Sequence, residues 1–407
     1  WNAIATDNCP VSTLAYTLSG ATTGTGTTLN NVAFNAGVTT VTWTARDAAN
    51  NAASCSFTVL VTDDDNPSVT CPVTGQQSVT TNTSCTYVHS GTGWNAIATD
   101  NCPGSTLTYT LSGATTGTGT TLNNVAFNTG VTTVTWTARD AANNPATCNF
   151  TVRVSDDDNP SITCPVTGQQ NVTTNNGCRY QHTGTGWNAI ATDNCSVTSL
   201  TYTLSGATSG TGTDLNNVSF ERGITTVLWR AGDAAGNNAE CSFTVNVTDD
   251  DLPVISCPVS GLQHVTTNNA CTYVHSGTGW DAGATDNCSG STIAYTLTGA
   301  TTGTGNSLNN VAFGSGLTTV MWTATDGAGN TSSCSFQVSV TDDDNPVITC
   351  LVTDQQNVNV TSGCTYVHSG TAWDATASDN CTGVSVAFTL SGASSGTGNT
   401  LNNVVFN

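Results

Sequence analysis

The sequence predicts an all-β chain of tandem immunoglobulin-like β-sandwiches, with about seven strands in each repeat. Three observations predict it. Trp1, Trp94, Trp187, Trp280 and Trp373 stand 93 residues apart, and the run Trp-Asn-Ala-Ile-Ala-Thr-Asp-Asn-Cys recurs unchanged at 1–9, 94–102 and 187–195. A fixed period without insertions marks one folding unit used again and again. Helical periodicity is absent, and short alternating segments rich in Thr and Val stand between Gly, Asn and Pro turn signals. The period also suits one small domain. The complete repeats are 63–155, 156–248 and 249–341. The back part of a copy at 1–62 and the front part of another at 342–407 flank them, so the segment reads as a window on a longer protein.

Within 63–155, residues 68–71 and 78–81 read as edge-like first strands, split by Pro72 and Gly75. Residues 85–90 form the next. Leu107, Tyr109 and Leu111 fall on one face of a third strand, with Thr108 and Thr110 on the other. The Gly-rich stretch 113–119 is expected to be a flexible connecting loop. It lacks the Lys and the following helix of a phosphate loop, and it recurs in every copy. Residues 125–127 give another strand, turned by Asn128, Thr129 and Gly130. Val134, Trp136 and Ala138 share the inward face of the next, and Cys148, Phe150, Val152 and Val154 that of the last. Trp136 and Tyr109 are the expected core anchors.

No Lys is present, and Lys plus Arg total 6 against 27 Asp plus Glu, for a formal net charge of -21. That balance argues against nucleic acid and anionic membrane surfaces as partners. It also removes the Lys–Asn isopeptide bond as a cross-link. No apolar run long enough to span a membrane occurs. The 17 cysteines recur at fixed places in each repeat, which reads as disulfides in an oxidising, extracellular or cell-surface setting. A zinc site needs close pairs such as C-x-x-C, and none exists. In a sandwich of this strand order, the second-to-third loop and the start of the last strand lie at one end. That pairs Cys102 with Cys148, and likewise Cys9 with Cys55, Cys195 with Cys241 and Cys288 with Cys334. By elimination Cys71 pairs with Cys85, Cys164 with Cys178, Cys257 with Cys271 and Cys350 with Cys364, although Cys71 also reaches the upper end. The partner of Cys381 is expected beyond Asn407.

The segments 65–72, 98–102, 133–140 and 146–152 together resemble the hyalin repeat, and the resemblance extends over the whole chain. It implies an extracellular, immunoglobulin-like adhesion module. The departures are small: Leu252 replaces the linker Asn, and Leu351 replaces the Pro that follows the first Cys. The long tandem array also resembles the repeat regions of giant cell-surface adhesins of Bacteroidetes.

Most of the acids fall in three recurring places. The linkers hold Asp63, Asp64, Asp65; Asp156, Asp157, Asp158; Asp249, Asp250, Asp251; and Asp342, Asp343, Asp344. The Asp-Asn-Cys loop holds Asp7, Asp100, Asp193, Asp286 and Asp379. The last turn opens on Asp47, Asp140, Asp233 and Asp326. The predicted fold brings all three to the top of a sandwich. Each junction then gathers about five carboxylates with Asn carbonyls, a donor set of the kind hard cations take. The Asn positions are Asn66, Asn101 and Asn144, with counterparts at Asn159, Asn237, Asn330 and Asn345. Like charges 4 Å apart repel by ~1 kcal/mol in water and by more in a less polar junction. With no Lys and few Arg, the expected counter-ion is Ca²⁺. The alternative is a solvated acidic hinge whose Asp and Asn only shape turns. The layout resembles the acidic, Asn-Pro-containing linkers of cadherins, which implies calcium held between domains.

His89, His182, His275 and His368 occupy one strand position, without a second His or Cys at ligand spacing, and read as sandwich-face residues; His264 is an extra. N-x-[ST] triplets at Asn82, Asn171, Asn217 and Asn246 are what an Asn- and Thr-rich chain produces by chance. No nucleophile–base–acid set stands outside the repeat pattern, so an enzyme is not expected. The predicted function is the structural stalk or filament shaft of a secreted cell-surface adhesin, rigidified by disulfides and interdomain calcium. The alternatives are repeats that themselves bind glycan, ice or protein ligands, and lateral self-assembly with other copies into a multi-chain fibre.

Overall fold

The computed structural model of the chain describes residues 1–407, with all side chains except those of Val11 and Ser12. It is all-β. Among the described residues no helix occurs, so none is long and apolar enough to cross a membrane. Two compact units divide the chain, and the division runs through the repeat 156–248. One unit holds Trp1–Pro165, Ala189–Tyr202 and Leu228–Cys241; the other holds Val166–Asn188, Thr203–Val227 and Ser242–Asn407.

In the first unit, the repeat 63–155 is built on a five-stranded sheet. Its order is Gly117–Gly119, Thr106–Gly113, Gly130–Arg139, Pro145–Ser155, Gln76–Thr80. All neighbours are antiparallel except Gln76–Thr80, which runs parallel to the last strand. Two short ladders complete the sandwich: Ser68–Thr70 with Ile97–Thr99, and Thr86–Val88 with Ala126–Asn128. Period-two alternation decides the packing. Val134, Trp136 and Ala138 are fully buried, and Phe150, Val152 and Val154 line up beside them. Val69, Tyr87 and Phe127 pack onto this face from the short ladders. In the second unit, the repeat 249–341 has the same plan, in the order Leu262–Thr266, Thr331–Thr341, Gly316–Thr325, Thr292–Gly299, Gly303–Gly305.

The Gly-rich stretch differs from the expected loop. Gly117–Gly119 is a strand, paired with Leu111 through Tyr109. The reason is steric: a Cβ on Gly119 would come within 2.7 Å of the Tyr109 hydroxyl, so only glycine lets the Tyr ring lie flat under this edge. Under the short ladders Phe150 is only 2% exposed.

The recurring Trp lies at the centre of each complete core. The Trp136 indole N–H donates to the Trp94 carbonyl at 3.1 Å, and Trp322 does the same to Trp280. Trp94 meets Phe127 and Phe150 edge-on, at ring separations of 5.8 and 5.9 Å. Its face is stacked on His89 at 3.9 Å, and His275 stacks on Trp280 at 4.0 Å. Among the described residues, both ring nitrogens of His89 and His275 are buried without a hydrogen-bond partner, and the His182 ring is buried in the same way. Burial therefore holds each of these imidazoles below its ordinary value of 6.5. The unfolded chain takes up these protons near pH 6.5 and the folded repeat resists them until lower pH. Their contribution to stability is thus full above 6.5 and is lost as the pH falls below it toward the depressed folded values. We expect the melting temperature to hold steady above neutrality and to decline as the pH falls below 6.5. His89→Phe should flatten that decline for its repeat in calorimetric scans; an unchanged slope would remove histidine as the cause.

The disulfides depart from the sequence-based pairing. Cys71 is bonded to Cys148, Cys164 to Cys241 and Cys257 to Cys334, each with a sequence separation of 77. Cys85 is bonded to Cys195, Cys178 to Cys288 and Cys271 to Cys381, each with a separation of 110. The expected pairs Cys71–Cys85, Cys102–Cys148, Cys164–Cys178, Cys195–Cys241, Cys257–Cys271 and Cys288–Cys334 are therefore incorrect, and Cys381 finds its partner inside the chain. The strand Ser68–Thr70 packs on the last strand, so Cys71 ends 5.8 Å, Cα to Cα, from Cys148. Cys85 lies in the tight turn closed by Thr83 and Thr86, where the Asp-Asn-Cys loop of the next repeat arrives, 4.4 Å away at Cys195. Elimination within a single repeat missed this second partner. Cys9, Cys55, Cys102, Cys350 and Cys364 are unpaired, which corrects Cys9–Cys55 and Cys350–Cys364.

Candidate functional site

Each junction is assembled from a linker, the Asp-Asn-Cys loop and the last turn of the following repeat. The junction at 156–158 gathers three carboxylates. Carboxylate oxygens of Asp156, Asp193 and Asp233 lie within 4.8 Å of one another. Asp156 is 8% exposed and Asp233 7%. The Asn237 side-chain amide is donated to Asp233 Oδ2 at 2.8 Å and to the Asp156 carbonyl at 3.2 Å, which ties turn to linker. Burial alone would raise the Asp233 carboxyl. Donors from Asn237, Gly236 and Ala235 outweigh it and hold the group below its ordinary value, and the same balance holds Asp326 down. Asp193 Oδ2 accepts from the Cys195 and Ser196 N–H groups at 2.8 and 3.1 Å. Asp156 Oδ2 and Asp193 Oδ1 accept nothing from the described residues, although both are buried. Buried carboxylate oxygens without donors are costly unless a cation satisfies them. This donor set fits a hard cation such as Ca²⁺.

The Asn of the Asp-Asn-Cys motif has a different role from the expected one. It is a donor, and its side-chain nitrogen lies across the junction. Asn194 Nδ2 reaches Asp158 Oδ2 at 2.9 Å, Asp156 Oδ1 at 3.2 Å and, in the preceding repeat, the Ser84 carbonyl at 3.2 Å. Asn287 holds Asp251 and the Gly177 carbonyl in the same way, and Asn380 holds Asp344 and the Ala270 carbonyl. Asn101 donates to Asp65 at 2.8 Å. Beside Asn194 lies the Cys85–Cys195 bridge, so a hydrogen-bonded latch and a covalent one sit together. Thr81, Thr174 and Thr267 add hydroxyl donors to Asp156, Asp249 and Asp342. Their signal in the sequence is a Thr four residues before Cys85, Cys178 and Cys271, although Val360 stands at that place before Cys364.

The linker acids divide by position. The first Asp turns inward at Asp156 and Asp249 and is half-buried at Asp63. The middle ones, Asp64, Asp157, Asp250 and Asp343, face solvent. Asp65, Asp158, Asp251 and Asp344 are exposed and hold the latch Asn. Asn66, Asn159 and Asn345 are exposed, while Asn144, Asn237 and Asn330 donate as turn clamps. The buried clusters therefore hold fewer carboxylates than expected. At 63–65 the cluster is Asp63, Asp100 and the unpaired Cys102 thiol, with Asp140 near enough to act on the thiol. The hydrogen bond to Asp63 comes first among the influences that raise this thiol above its ordinary value. At 249–251 Asp249 and Asp286 meet beside Cys288, whose sulfur is committed to Cys178. Here the protein supplies a cation of its own: Arg222 Nη1 lies 3.9 Å from Asp249 Oδ2. Its guanidinium passes over Gly327, where a Cβ would stand 3.4 Å from Nη2; the other complete repeats carry Ala141 and Ala234 at that place. The expectation that no counter-ion is available is corrected for this junction. At 342–344 Asp342 is exposed, and Asp379 accepts from the Asn380 N–H.

The HYR domain model matches residues 12–61, 62–154, 155–247 and 248–340. The chain belongs to the HYR-domain family. Its HYR repeats are similar to hyalin of Strongylocentrotus purpuratus, 29% identical over 357 residues, covering 82% of the chain and 26% of that protein. They are also similar to hyalin of Lytechinus variegatus, 30% identical over 336 residues, covering 78% of the chain and 56% of that protein. The chain thus spans about a quarter of one relative and just over half of the other. Among solved structures, the protocadherin GammaB4 extracellular domain aligns with 85% of the chain and 62% of its own at 18% identity, with a TM-score of 0.29. Mouse cadherin-23 EC22-24 aligns with 69% of the chain and 100% of its own at 18% identity, with a TM-score of 0.26.

Proposed function

We propose that this HYR array is the stalk or filament shaft of a secreted cell-surface adhesin, and that its repeats act by reach and mechanical continuity rather than by catalysis. The observation that carries this reading is the junction. A linker with few residues to spare is flanked by a disulfide from one repeat to the next and by an Asn that hydrogen-bonds to both. Two covalent connections and a polar latch restrict rotation at a joint that a plain linker would leave free. Six disulfides fit an oxidising, extracellular setting.

Calcium is the second part of the proposal. Asp156, Asp193 and Asp233 would hold it, and its charge would offset the repulsion between the buried carboxylates. Calorimetric titration of the chain with CaCl₂ should show binding that EGTA reverses, and calcium should raise the melting temperature by mass action. Asp156→Asn with Asp193→Asn should delete one site. Arg222→Ala should strengthen binding at the junction where the guanidinium now competes. A chain that neither binds calcium nor changes its melting temperature would leave these clusters as solvated hinges.

One observation favours a second reading, lateral self-association into a fibre. Val38, Val131, Ile224 and Leu317 occupy one position in successive copies, and each is about half exposed. An apolar point that recurs once per repeat gives copies of the chain a place to meet.

A further inference from the structure

We propose that the two disulfide classes turn the array into a covalent ladder, in which tension runs along two short parallel rails and bypasses most of each repeat. This rests on the stalk reading and extends it to mechanism. The first rail crosses a repeat by disulfide and a junction by peptide. Force entering at Cys71 passes through the bond to Cys148, follows the linker to Cys164, crosses to Cys241 and follows the next linker to Cys257. The second rail does the reverse. It crosses a junction by disulfide and a repeat by peptide: Cys85 to Cys195, back along the chain to Cys178, across to Cys288, back to Cys271 and across to Cys381. At every level through the array, one rail is a peptide segment and the other a sulfur–sulfur bond.

The rails have nearly equal length, which makes them able to share load. The peptide on the first is about 16 residues per repeat and on the second about 17, so each extends to at most roughly 60 Å at 3.3–3.6 Å per residue. The uncross-linked repeat would reach roughly 320 Å on the same basis. The segment between the Asp-Asn-Cys loop and the last strand carries Tyr109, Phe127 and Trp136, the centre of the core, and lies off both rails. Tension therefore cannot draw that core segment out, even when its strands open. Neither rail depends on calcium.

The test is single-molecule stretching of the whole chain from its two ends, in EGTA, with the disulfides intact and after reduction. The residues before Cys71 and after Cys381 extend in both cases. With disulfides intact, no later step should release a repeat length; after reduction, steps approaching 300 Å should appear, close to the full length of a repeat. Cys164→Ser with Cys241→Ser, or Cys178→Ser with Cys288→Ser, should leave the limiting length nearly unchanged, because the other rail holds. Combining the four substitutions should lengthen it by about 150 Å, roughly 44 freed residues. Repeat-length steps in the oxidised chain, or the full gain from removing one class alone, would overturn the ladder. Because calcium is absent throughout, such a failure leaves the calcium junction to be judged by the titration; a chain that stretches as a ladder yet binds no calcium keeps the rails and loses the cation.

Discussion

Replacing Cys71 and Cys148 together by serine is expected to destabilise the repeat 63–155 by ~4.5 kcal/mol. The estimate is the loop-closure entropy that the bond removes from the unfolded chain, for a separation of 77 residues. The other bond at this repeat, Cys85–Cys195, closes a different loop and leaves the first strand free to detach. Ser68–Thr70 holds only a three-residue ladder with Ile97–Thr99, so without the bridge little fixes it to the sandwich. Small domains have about 5–15 kcal/mol in total, so the variant repeat should melt well before its neighbours. Calorimetry should resolve a separate transition about 20–30 °C below the main one. A single unchanged transition would show that packing alone secures the first strand.

Trp136→Ala should cost about 3–5 kcal/mol in the same repeat. The side chain is fully buried, meets Tyr109 edge-on at 5.4 Å and donates to the Trp94 carbonyl. Truncation leaves a cavity between the two layers and an acceptor without its donor. Trp136→Phe should recover part of the loss through area but leave the Trp94 carbonyl unsatisfied. Urea unfolding, followed by near-ultraviolet circular dichroism, separates the two variants. Equal stability of Trp136→Ala and the parent would mean that the central strand is not held by this residue.

Much of the fold is legible in the sequence because burial follows period two. Val134, Trp136 and Ala138 lie where alternation puts them, and so do Phe150, Val152 and Val154. The short strands were harder. Ile97–Thr99 is three residues long and has an exposed Ile at its start, so it carries no alternation signal. Gly117–Gly119 looks like a loop because the property that makes it a strand belongs to its neighbour, the Tyr109 ring. The convergence of three acidic loops was legible from strand order. Which Asp of each triplet turns inward was not, since three identical residues give no contrast. The pairing of cysteines was not legible for a different reason: Cys85 and its partner belong to different folding units, and reasoning confined to one unit cannot join them. Arg222 stands at a position that changes in every copy, Ala36, Thr129 and Ser315 being its counterparts, so nothing marked it out. Its meaning lies in Gly327, which makes room for it in the next repeat.

The central claim is that disulfides run from repeat to repeat, and trypsin can test it without reduction. Cleavage is restricted to six Arg, since no Lys is present. Cys71 and Cys85 fall in the tryptic peptide 47–139, Cys148 in 140–153 and Cys195 in 180–222. Mass spectrometry of the non-reduced digest should find peptide 47–139 carrying both 140–153 and 180–222, through Cys71–Cys148 and Cys85–Cys195. Recovery of 47–139 joined to 140–153 alone, with 180–222 attached instead to the peptide that holds Cys241, would remove the Cys85–Cys195 bridge from one repeat to the next and contradict the account.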